Sequence, residues 1–210
     1  MTSQSRPPIV IGTHNRKKGL ELTELLAPLG FSVLTLDDVP GAIEVVEDGV
    51  TFAANAALKA TQQAKHLKQW VLADDSGLEV DALNGAPGVY SARFAGPNAT
   101  DADNNARLLA DLRKTPVEKR TARYVCHVTI ADPTGEIRAE SEDICRGRIL
   151  LEQAGRNGFG YDPLFEVVEY HRTFGELGAV TKAVLSHRSR AIYQILPQLT
   201  RLLCEEAQRA

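Results

Sequence analysis

Residues 9–18 read IVIGTHNRKK, and this stretch opens the pattern that decides the fold. Its first part, residues 9–12, is a short apolar run typical of a buried strand. A helical stretch follows, with leucines at positions 22, 25, 26 and 29 on one face, and Gly30 ends it. Residues 31–36 predict a second strand. This strand–loop–helix–strand opening is typical of α/β proteins.

The rest of the chain continues the alternation of helices and strands. It predicts, in order, a helix at 51–68, a strand at 70–73 that ends at Asp74, short strands and loops at 78–95, a helix at 101–114, an antiparallel hairpin of residues 120–132 and 136–150, and a terminal helix at 189–208. Pro197 is expected to kink the last helix or to mark its start. We therefore predict a single α/β domain over residues 1–210, with a central mixed sheet flanked by helices and two lobes with a cleft.

Composition and charge exclude several classes of protein. The chain is 43% hydrophobic, which is the usual range for a globular core, and it has no run of 18 apolar residues that would span a membrane. The polar stretch 1–8 lacks the apolar centre of a signal peptide. The net charge of -3 argues against a nucleic-acid partner. The three cysteines, Cys126, Cys145 and Cys204, form no close pair and favour buried thiols in a reducing cytoplasm.

A basic polar segment at the junction of the first strand and helix is the first candidate site. Backbone N–H groups at a helix start attract anions, and three successive cations add to that attraction. The segment is not a Walker A loop, because Gly12 is the only glycine before Lys17 and Gly19 follows Lys18. The alternative is a solvated basic first turn. The candidate phosphate-binding residues are Thr13, His14, Asn15, Arg16, Lys17 and Lys18.

Two acidic pairs are the second candidate. Asp74-Asp75 comes directly after an apolar strand, where ligands bind in open α/β sheets. Neighbouring strand residues point to opposite faces, so at most one of these carboxylates faces a ligand directly. A carboxylate beside a phosphate requires a hard cation between them, usually magnesium. A simple turn at residues 74–77, and a solvated surface for Glu47-Asp48, are the alternatives.

The third and fourth candidates lie near the end of the chain. Glycines flank Phe159, so its ring is held on a loop where a flat base can stack, and Asp162 is placed to accept from a ring N–H. Lys182 offers a point charge for phosphate, and Arg188 offers a donor fork for carbonyl or phosphate oxygens. The alternatives are a turn whose aromatic rings fill the core and a structural role for His187.

In this order the motifs resemble the inosine triphosphate pyrophosphatase family, which hydrolyses non-canonical purine nucleoside triphosphates. The resemblance covers nearly the whole chain, through THNRKK at 13–18, DGVTF at 48–52, Asn55 with LKA at 58–60, ADDSGL at 73–78, GAPGVYSAR at 85–93, residues 158–163, and Lys182 with SHR at 186–188. It implies an elongated, two-lobed α/β fold and a homodimer. It also implies a magnesium-dependent reaction that converts ITP, dITP or XTP to the monophosphate and pyrophosphate.

The resemblance also assigns roles to residues. Asp75 would bind magnesium and position or deprotonate the attacking water. The substrate-binding residues would be Thr13 to Lys18 and Lys182 for the phosphates, Ser76, the segment Phe159-Gly160-Tyr161-Asp162 with its stacking ring, and His187 and Arg188 for the base. We expect the cations near both ends of the chain to converge with Asp75.

The chain departs from the family pattern at two positions. Val46 stands where the family has the first of two glutamates, which leaves Glu47 as the predicted second metal ligand. Ala54 replaces the glutamate that commonly precedes the asparagine at position 55. Two alternatives therefore stay open: a related pyrophosphatase for another modified or pyrimidine nucleotide, and a catalytically silent nucleotide-binding module.

Overall fold

The computed structural model describes residues 6–209, which form seven strands and five α-helices with short 3-10 segments between them. The strands are β1 Ile9–Ile11, β2 Val33–Thr35, β3 Trp70–Val80, β4 Thr121–Ala131, β5 Ile137–Ile149, β6 Phe165–Val167 and β7 Arg172–Thr173. The helices are α1 Arg16–Leu26, α2 Phe52–Leu67, α3 Asp101–Asp111, α4 Phe174–Leu185 and α5 His187–Arg209.

All seven strands belong to one mixed sheet, in the order β2-β1-β3-β4-β5-β6-β7. β1 is parallel to both of its neighbours, with Ile9 opposite Val33 on β2 and Trp70 on β3. β5, β6 and β7 pair antiparallel. The three residues of β1 are fully buried, as a parallel strand covered on both faces requires. The predicted mixed sheet flanked by helices is confirmed.

The chain divides into two compact units, and the boundaries fall inside β3, β4, β5 and α5. The first unit comprises the residues up to Asp75, residues 127–142 and the chain from Ala191. Its core is rich in small side chains, because Ala60 and Ala64 of α2 are buried together with Val10, Val71 and Ala73. Alanine adds little bulk, so α2 packs closely on β1 and β3.

The second unit has an aromatic core. It comprises residues 76–126 and 143–190. The ring of Phe165 lies 4.6 Å from that of Tyr124 and 5.6 Å from that of Phe174, measured between centroids. Leu78 and Leu108 are fully buried in the same cluster. Rings at these separations fix one another's orientation.

Several sequence predictions need correction. β3 does not end at Asp74 but continues to Val80. Residues 81–83 and 88–93 are 3-10 helices rather than strands. α5 begins at His187, ten residues before Pro197, so this proline lies inside the helix and does not start it.

The cysteines agree with the sequence analysis. Cys126 and Cys145 are buried, Cys204 is only partly buried, and within residues 6–209 none of the three forms a disulfide. Burial raises the pKa of the Cys145 thiol to about 11, so it is inert at neutral pH. Within residues 6–209, no helix combines the length and the apolar character needed to cross a membrane.

Candidate functional site

The start of α1 forms an ordered polar turn. Asn15 caps the helix, since its side-chain oxygen accepts hydrogen bonds from the backbone N–H groups of Lys17 at 3.0 Å and Lys18 at 3.2 Å. The hydroxyl of Thr13 accepts from the N–H of Asn15 at 3.2 Å. These bonds fix the loop that follows β1.

The basic side chains of this turn point in different directions. His14, Arg16 and Lys17 are exposed, and the Nε2 atom of His14 lies 3.1 Å from the carbonyl oxygen of Ile43. Lys18 is only 15% exposed, and its Nζ lies 3.7 Å from Asp74 Oδ2 and 3.8 Å from Asp75 Oδ1. One lysine therefore approaches two neighbouring carboxylates of β3.

Asp75 is held by side chains of α2. Its Oδ2 accepts from the amide of Asn55 at 3.2 Å, and its Oδ1 accepts from Lys59 Nζ at 3.4 Å. Asn55 also accepts from the N–H of Gly49 at 2.8 Å, and Lys59 donates to Glu47 Oε2 at 2.9 Å. Asn55 and Lys59 lie four residues apart, so they share one face of the helix.

Charge balance explains how a lysine stays buried here. Burial disfavours the charged form of Lys59, but Asp75, Asp74 and Glu47 outweigh this effect and raise the pKa of the amine. Lys59 is therefore a cation at neutral pH. We call Lys18, Lys59, Glu47, Asp74 and Asp75 the lysine–carboxylate cluster.

The carboxylates of this cluster suit a hard cation. Carboxylate oxygens are the ligands that magnesium prefers, and magnesium is usually held by one or two of them together with substrate phosphates. Across residues 6–209, no three His, Cys, Asp or Glu side chains form a group that could by itself hold a metal ion. The donor set therefore fits an ion that is shared with a phosphate. Val46 is 73% exposed, while the neighbouring Glu47 joins the cluster through Lys59.

A second polar group lies in the second unit, around the turn at residues 158–162. Asp162 Oδ2 accepts from the N–H of Phe159 at 2.9 Å and from Lys182 Nζ at 2.6 Å. Its Oδ1 lies 3.3 Å from the hydroxyl of Tyr124, which donates to it. A Cβ atom at Gly158 would stand 2.0 Å from Asp162 Oδ2, so this turn requires glycine there. The carboxylate of Asp162 thus bonds to the backbone of the turn and connects the turn to Lys182 of α4 and Tyr124 of β4.

Two cations of the same unit lie close to the Phe159 ring. Lys182 Nζ lies 4.3 Å from the ring centroid, and the Arg188 guanidinium carbon lies 6.0 Å from it. Arg188 donates from Nη2 to the hydroxyl of Ser76 at 2.8 Å. The ring of His187 stacks on Tyr124 at 4.6 Å with 9° between their planes.

Two neighbouring residues of the turn are also anchored. The phenol of Tyr161 donates to the carbonyl of Ser91 at 2.8 Å, and burial raises its pKa, so it stays neutral. The carbonyl of Gly160 accepts from the amide of Asn105 at 2.9 Å. The aromatic cluster is defined as Tyr124, Phe159, Asp162, Lys182, His187 and Arg188.

Comparison with known proteins identifies the family. The family model described as "Ham1 family" matches residues 9–198. The chain belongs to the Ham1 family. A relative from Rhodopirellula baltica, named dITP/XTP pyrophosphatase, is 54% identical over 195 residues, which are 93% of this chain and 94% of the relative. A relative of the same name from Desulforamulus reducens is 51% identical over 92% of this chain and 96% of its own length.

Solved structures agree with this assignment to the Ham1 family. The HAM1 protein from Coxiella burnetii superposes with a TM-score of 0.81 at 38% identity, covering 93% of this chain and 99% of that one. The Ham1 protein from Staphylococcus aureus gives a TM-score of 0.79 at 38% identity, covering 92% and 97%. The predicted resemblance is therefore confirmed.

In this Ham1-family chain the predicted residues form one group in each unit. Lys18, Asp75 and Glu47 lie together in the first unit. The second unit brings together Ser76, Phe159, Asp162, Lys182, His187 and Arg188.

The sequence analysis assigned no role to Asn55, Lys59, Tyr124 or Asn105. A signal existed for two of them. Asn55 and Lys59 stand four residues apart in an alanine-rich helix, on the face that packs inward. No comparable pattern marks Tyr124 or Asn105.

Proposed function

We propose that this chain hydrolyses non-canonical purine nucleoside triphosphates, namely ITP, dITP and XTP, to the nucleoside monophosphate and pyrophosphate, and so cleanses the nucleotide pool. The observation that carries the proposal is the lysine–carboxylate cluster, in which Lys18 and Lys59 flank the buried Asp75. The names of the relatives from Rhodopirellula baltica and Desulforamulus reducens, dITP/XTP pyrophosphatase, support it.

The lysine–carboxylate cluster and the start of α1 receive the triphosphate. A triphosphate tail carries about four negative charges, and catalysis of phosphoryl transfer consists mainly of positioning and charge stabilisation. The positive end of the α1 dipole, the exposed His14, Arg16 and Lys17, and the inward Lys18 supply positive charge. Thr13 and Asn15 keep this turn in shape.

Asp75 is the catalytic carboxylate. It accepts a proton from a water molecule while the water oxygen bonds to the α-phosphorus, and the bond from that phosphorus to the pyrophosphate oxygen breaks. Lys59 and Asn55 donate hydrogen bonds to the carboxylate and hold it in place. The products are the monophosphate and pyrophosphate.

Magnesium is the cofactor that we propose, with Asp75 and Glu47 as its protein ligands. When bound, it supplies positive charge to the phosphate oxygens. Removal of divalent ions with EDTA is expected to abolish turnover, and added magnesium is expected to restore it.

The aromatic cluster recognises the base. Phe159 stacks on the purine within the segment that also contains Gly160, Tyr161 and Asp162, and base–aromatic stacking contributes about 1–3 kcal/mol. Ser76 orients the guanidinium of Arg188, which, with His187, donates to the oxygen at position 6. An adenine amino group would leave that buried donor unpaired, at a cost of about 1–3 kcal/mol.

The contact of Lys182 with phosphate stays a prediction. Its Nζ donates to Asp162 in this structure and lies beside the Phe159 ring.

We also propose that the protein is a homodimer in the cytoplasm. The family resemblance supports the dimer, and three cysteines that form no disulfide within residues 6–209 suit a reducing compartment. Light scattering from the purified protein should give twice the mass of the chain.

The test of the function is hydrolysis of ITP, dITP, XTP, ATP and GTP by the purified chain with magnesium. We expect pyrophosphate and IMP-type products from the 6-oxo, non-canonical purines and little reaction with ATP. Orthophosphate as the only phosphate product would contradict the proposal. Tight binding without turnover would favour a silent binding module, as Val46 allows, and turnover of pyrimidine nucleotides alone would favour the related pyrophosphatase.

A further inference from the structure

Asn105 in α3 makes an unusual hydrogen bond to the turn that carries Phe159. Its side chain is 3% exposed, and its Nδ2 donates to the carbonyl oxygen of Gly160, 55 residues away, at 2.9 Å. Among residues 6–209, its Oδ1 finds no hydrogen-bond partner. One half of the amide is thus bonded to the turn, and the other half is buried unsatisfied.

Stability alone does not explain an asparagine at this position. A buried acceptor without a partner costs free energy comparable to what its hydrogen-bonded half contributes. An apolar side chain of the same shape would avoid that cost. Buried unsatisfied groups are few in native proteins, and each calls for a reason.

The turn at residues 158–162 explains why an asparagine stands at position 105. Gly158 and Gly160 flank Phe159 and have φ values of +76° and +61°. Glycine allows many backbone conformations, so such a turn needs external bonds to keep one of them. Asp162 holds the Phe159 N–H and Ser91 holds the Tyr161 hydroxyl. The side chain of Asn105 holds the carbonyl between them.

We infer that Asn105 is a positioning residue that fixes the Gly160 carbonyl and thereby the orientation of the Phe159 ring that stacks on the base. The inference rests on the proposed function, because base stacking is the role proposed for Phe159. Asn105 acts through the turn, and we assign it no contact with substrate. Its loss should therefore weaken base binding and leave phosphate binding intact.

The neighbouring Asn104 offers a matched control. It has the same side chain and is equally buried. Its Oδ1 accepts from the N–H of Ala95 at 2.8 Å, and its Nδ2 donates to the carbonyl of Ala92 at 3.1 Å. Both halves of its amide are satisfied, and neither bond reaches the Phe159 turn. The two asparagines thus separate a fully bonded structural role from the proposed positioning role.

The test compares Asn105→Leu with Asn104→Leu by thermal melting, ITP kinetics and inhibition by inorganic tripolyphosphate. For Asn105→Leu we expect Tm to change by less than about 3 °C, since one bond and one unsatisfied acceptor are lost together. We expect KM for ITP to rise about tenfold, with kcat within about twofold, because a poorly oriented ring loses part of its stacking energy. Tripolyphosphate inhibition should be unchanged. Asn104→Leu should lower Tm further and keep KM within about twofold, since it loses two satisfied bonds away from the Phe159 turn.

A second variant covers the case in which Asn105→Leu misfolds. Asn105→Asp keeps the size of the side chain but places an oxygen opposite the Gly160 carbonyl, so the same rise in KM is expected. A wild-type KM in either folded variant would overturn the inference, as would equal losses of ITP and tripolyphosphate affinity. If the wild-type protein does not hydrolyse ITP, the proposed function fails instead. Calorimetry with IMP then decides whether Asn105 has the positioning role. Weaker IMP binding by the Asn105 variants would support the positioning role, and equal binding would overturn it.

Discussion

The lysine–carboxylate cluster and the aromatic cluster hold their charges in different ways. Lys18 lies 3.7 Å and 3.8 Å from the carboxylates of Asp74 and Asp75, beyond the usual length of a charged hydrogen bond. In the aromatic cluster, Lys182 lies 2.6 Å from Asp162. In the first cluster Lys59 is paired with Glu47 at 2.9 Å, but Lys18 stays outside hydrogen-bond length of both carboxylates, so a ligand can take the place of its contacts. In the aromatic cluster, the tight pair of Lys182 and Asp162 is formed before any ligand binds.

We infer from this difference that the lysine–carboxylate cluster acts through its charges and the aromatic cluster through the orientation of its rings and turn. Changes of charge should therefore be most damaging in the first cluster. Changes of ring or turn geometry should matter most in the second. The variants below separate these two effects.

The largest loss is expected from Asp75→Asn. The amide cannot accept the proton from water, so kcat for ITP should fall by about 10³-fold, within the range for general-base catalysis. Circular dichroism should show the native fold. Glu79→Gln, which changes a carboxylate on the same strand that pairs with Arg123, is the control and should keep normal turnover. Near-normal rates for Asp75→Asn would show that a different carboxylate is the base.

Lys59→Met should be the next most severe change. It leaves Asp75 and Glu47 without their shared buried cation, which we expect to lower the free energy of unfolding by about 3 kcal/mol and to reduce kcat. Urea unfolding and ITP kinetics measure the two effects. Lys65→Met, at an exposed position of the same helix, should change neither. If Lys59→Met retained full stability, the cluster would not depend on charge balance.

A smaller, selective effect is expected from Phe159→Ala. Loss of stacking, which is worth about 1–3 kcal/mol, should raise KM for ITP about tenfold with less change in kcat. Phe159→Tyr keeps the ring and should behave like the wild type. A fall in kcat without a rise in KM would place this ring elsewhere in the reaction.

The smallest effect is expected at Asp132, which also lies in the first unit. Hydrogen bonds hold this carboxylate, whereas lysines surround the carboxylates of the lysine–carboxylate cluster. Burial opposes ionisation, but bonds from Thr134, Glu136 and Arg138 outweigh it and lower the pKa of Asp132. A lowered folded-state pKa adds stability above the unfolded value of about 3.9, and this stability is lost as pH falls through the folded value.

Asp132→Asn should therefore lower the free energy of unfolding by about 1–3 kcal/mol at pH 7. Urea unfolding at several pH values should show the gap to the wild type narrowing below about pH 4. A gap that is independent of pH would mean that ionisation of Asp132 contributes nothing.

The local parts of the fold and site could be predicted from sequence. The β1–α1 junction carries its strand, cap and cations within ten residues, and the structure places Lys18 beside Asp75. The parts that depend on residues distant in sequence could not be predicted. The extension of β3 through Asp74 places a carboxylate in the core, which Lys18 makes tolerable from another part of the chain.

Two further failures have equally physical causes. α4 was not predicted because Gly178, with φ of +77° inside it, breaks the helical period. α4 does begin with a capping box of Thr173 and Glu176, but Gly178 interrupts the helical pattern that follows it. From the sequence, Asn105 is an ordinary polar residue of a helix. The structure shows that its side chain is buried and donates to the Gly160 carbonyl. The sequence of α3 contains no signal that marks Asn105.

The division of labour between the two clusters is tested most directly by calorimetry with inorganic tripolyphosphate and with inosine. Lys18→Ala should weaken tripolyphosphate binding about tenfold and leave inosine binding unchanged, as expected for the loss of one cation. Phe159→Ala should do the reverse. If both variants lost affinity for the same ligand to the same extent, the assignment of charge to one cluster and shape to the other would be wrong.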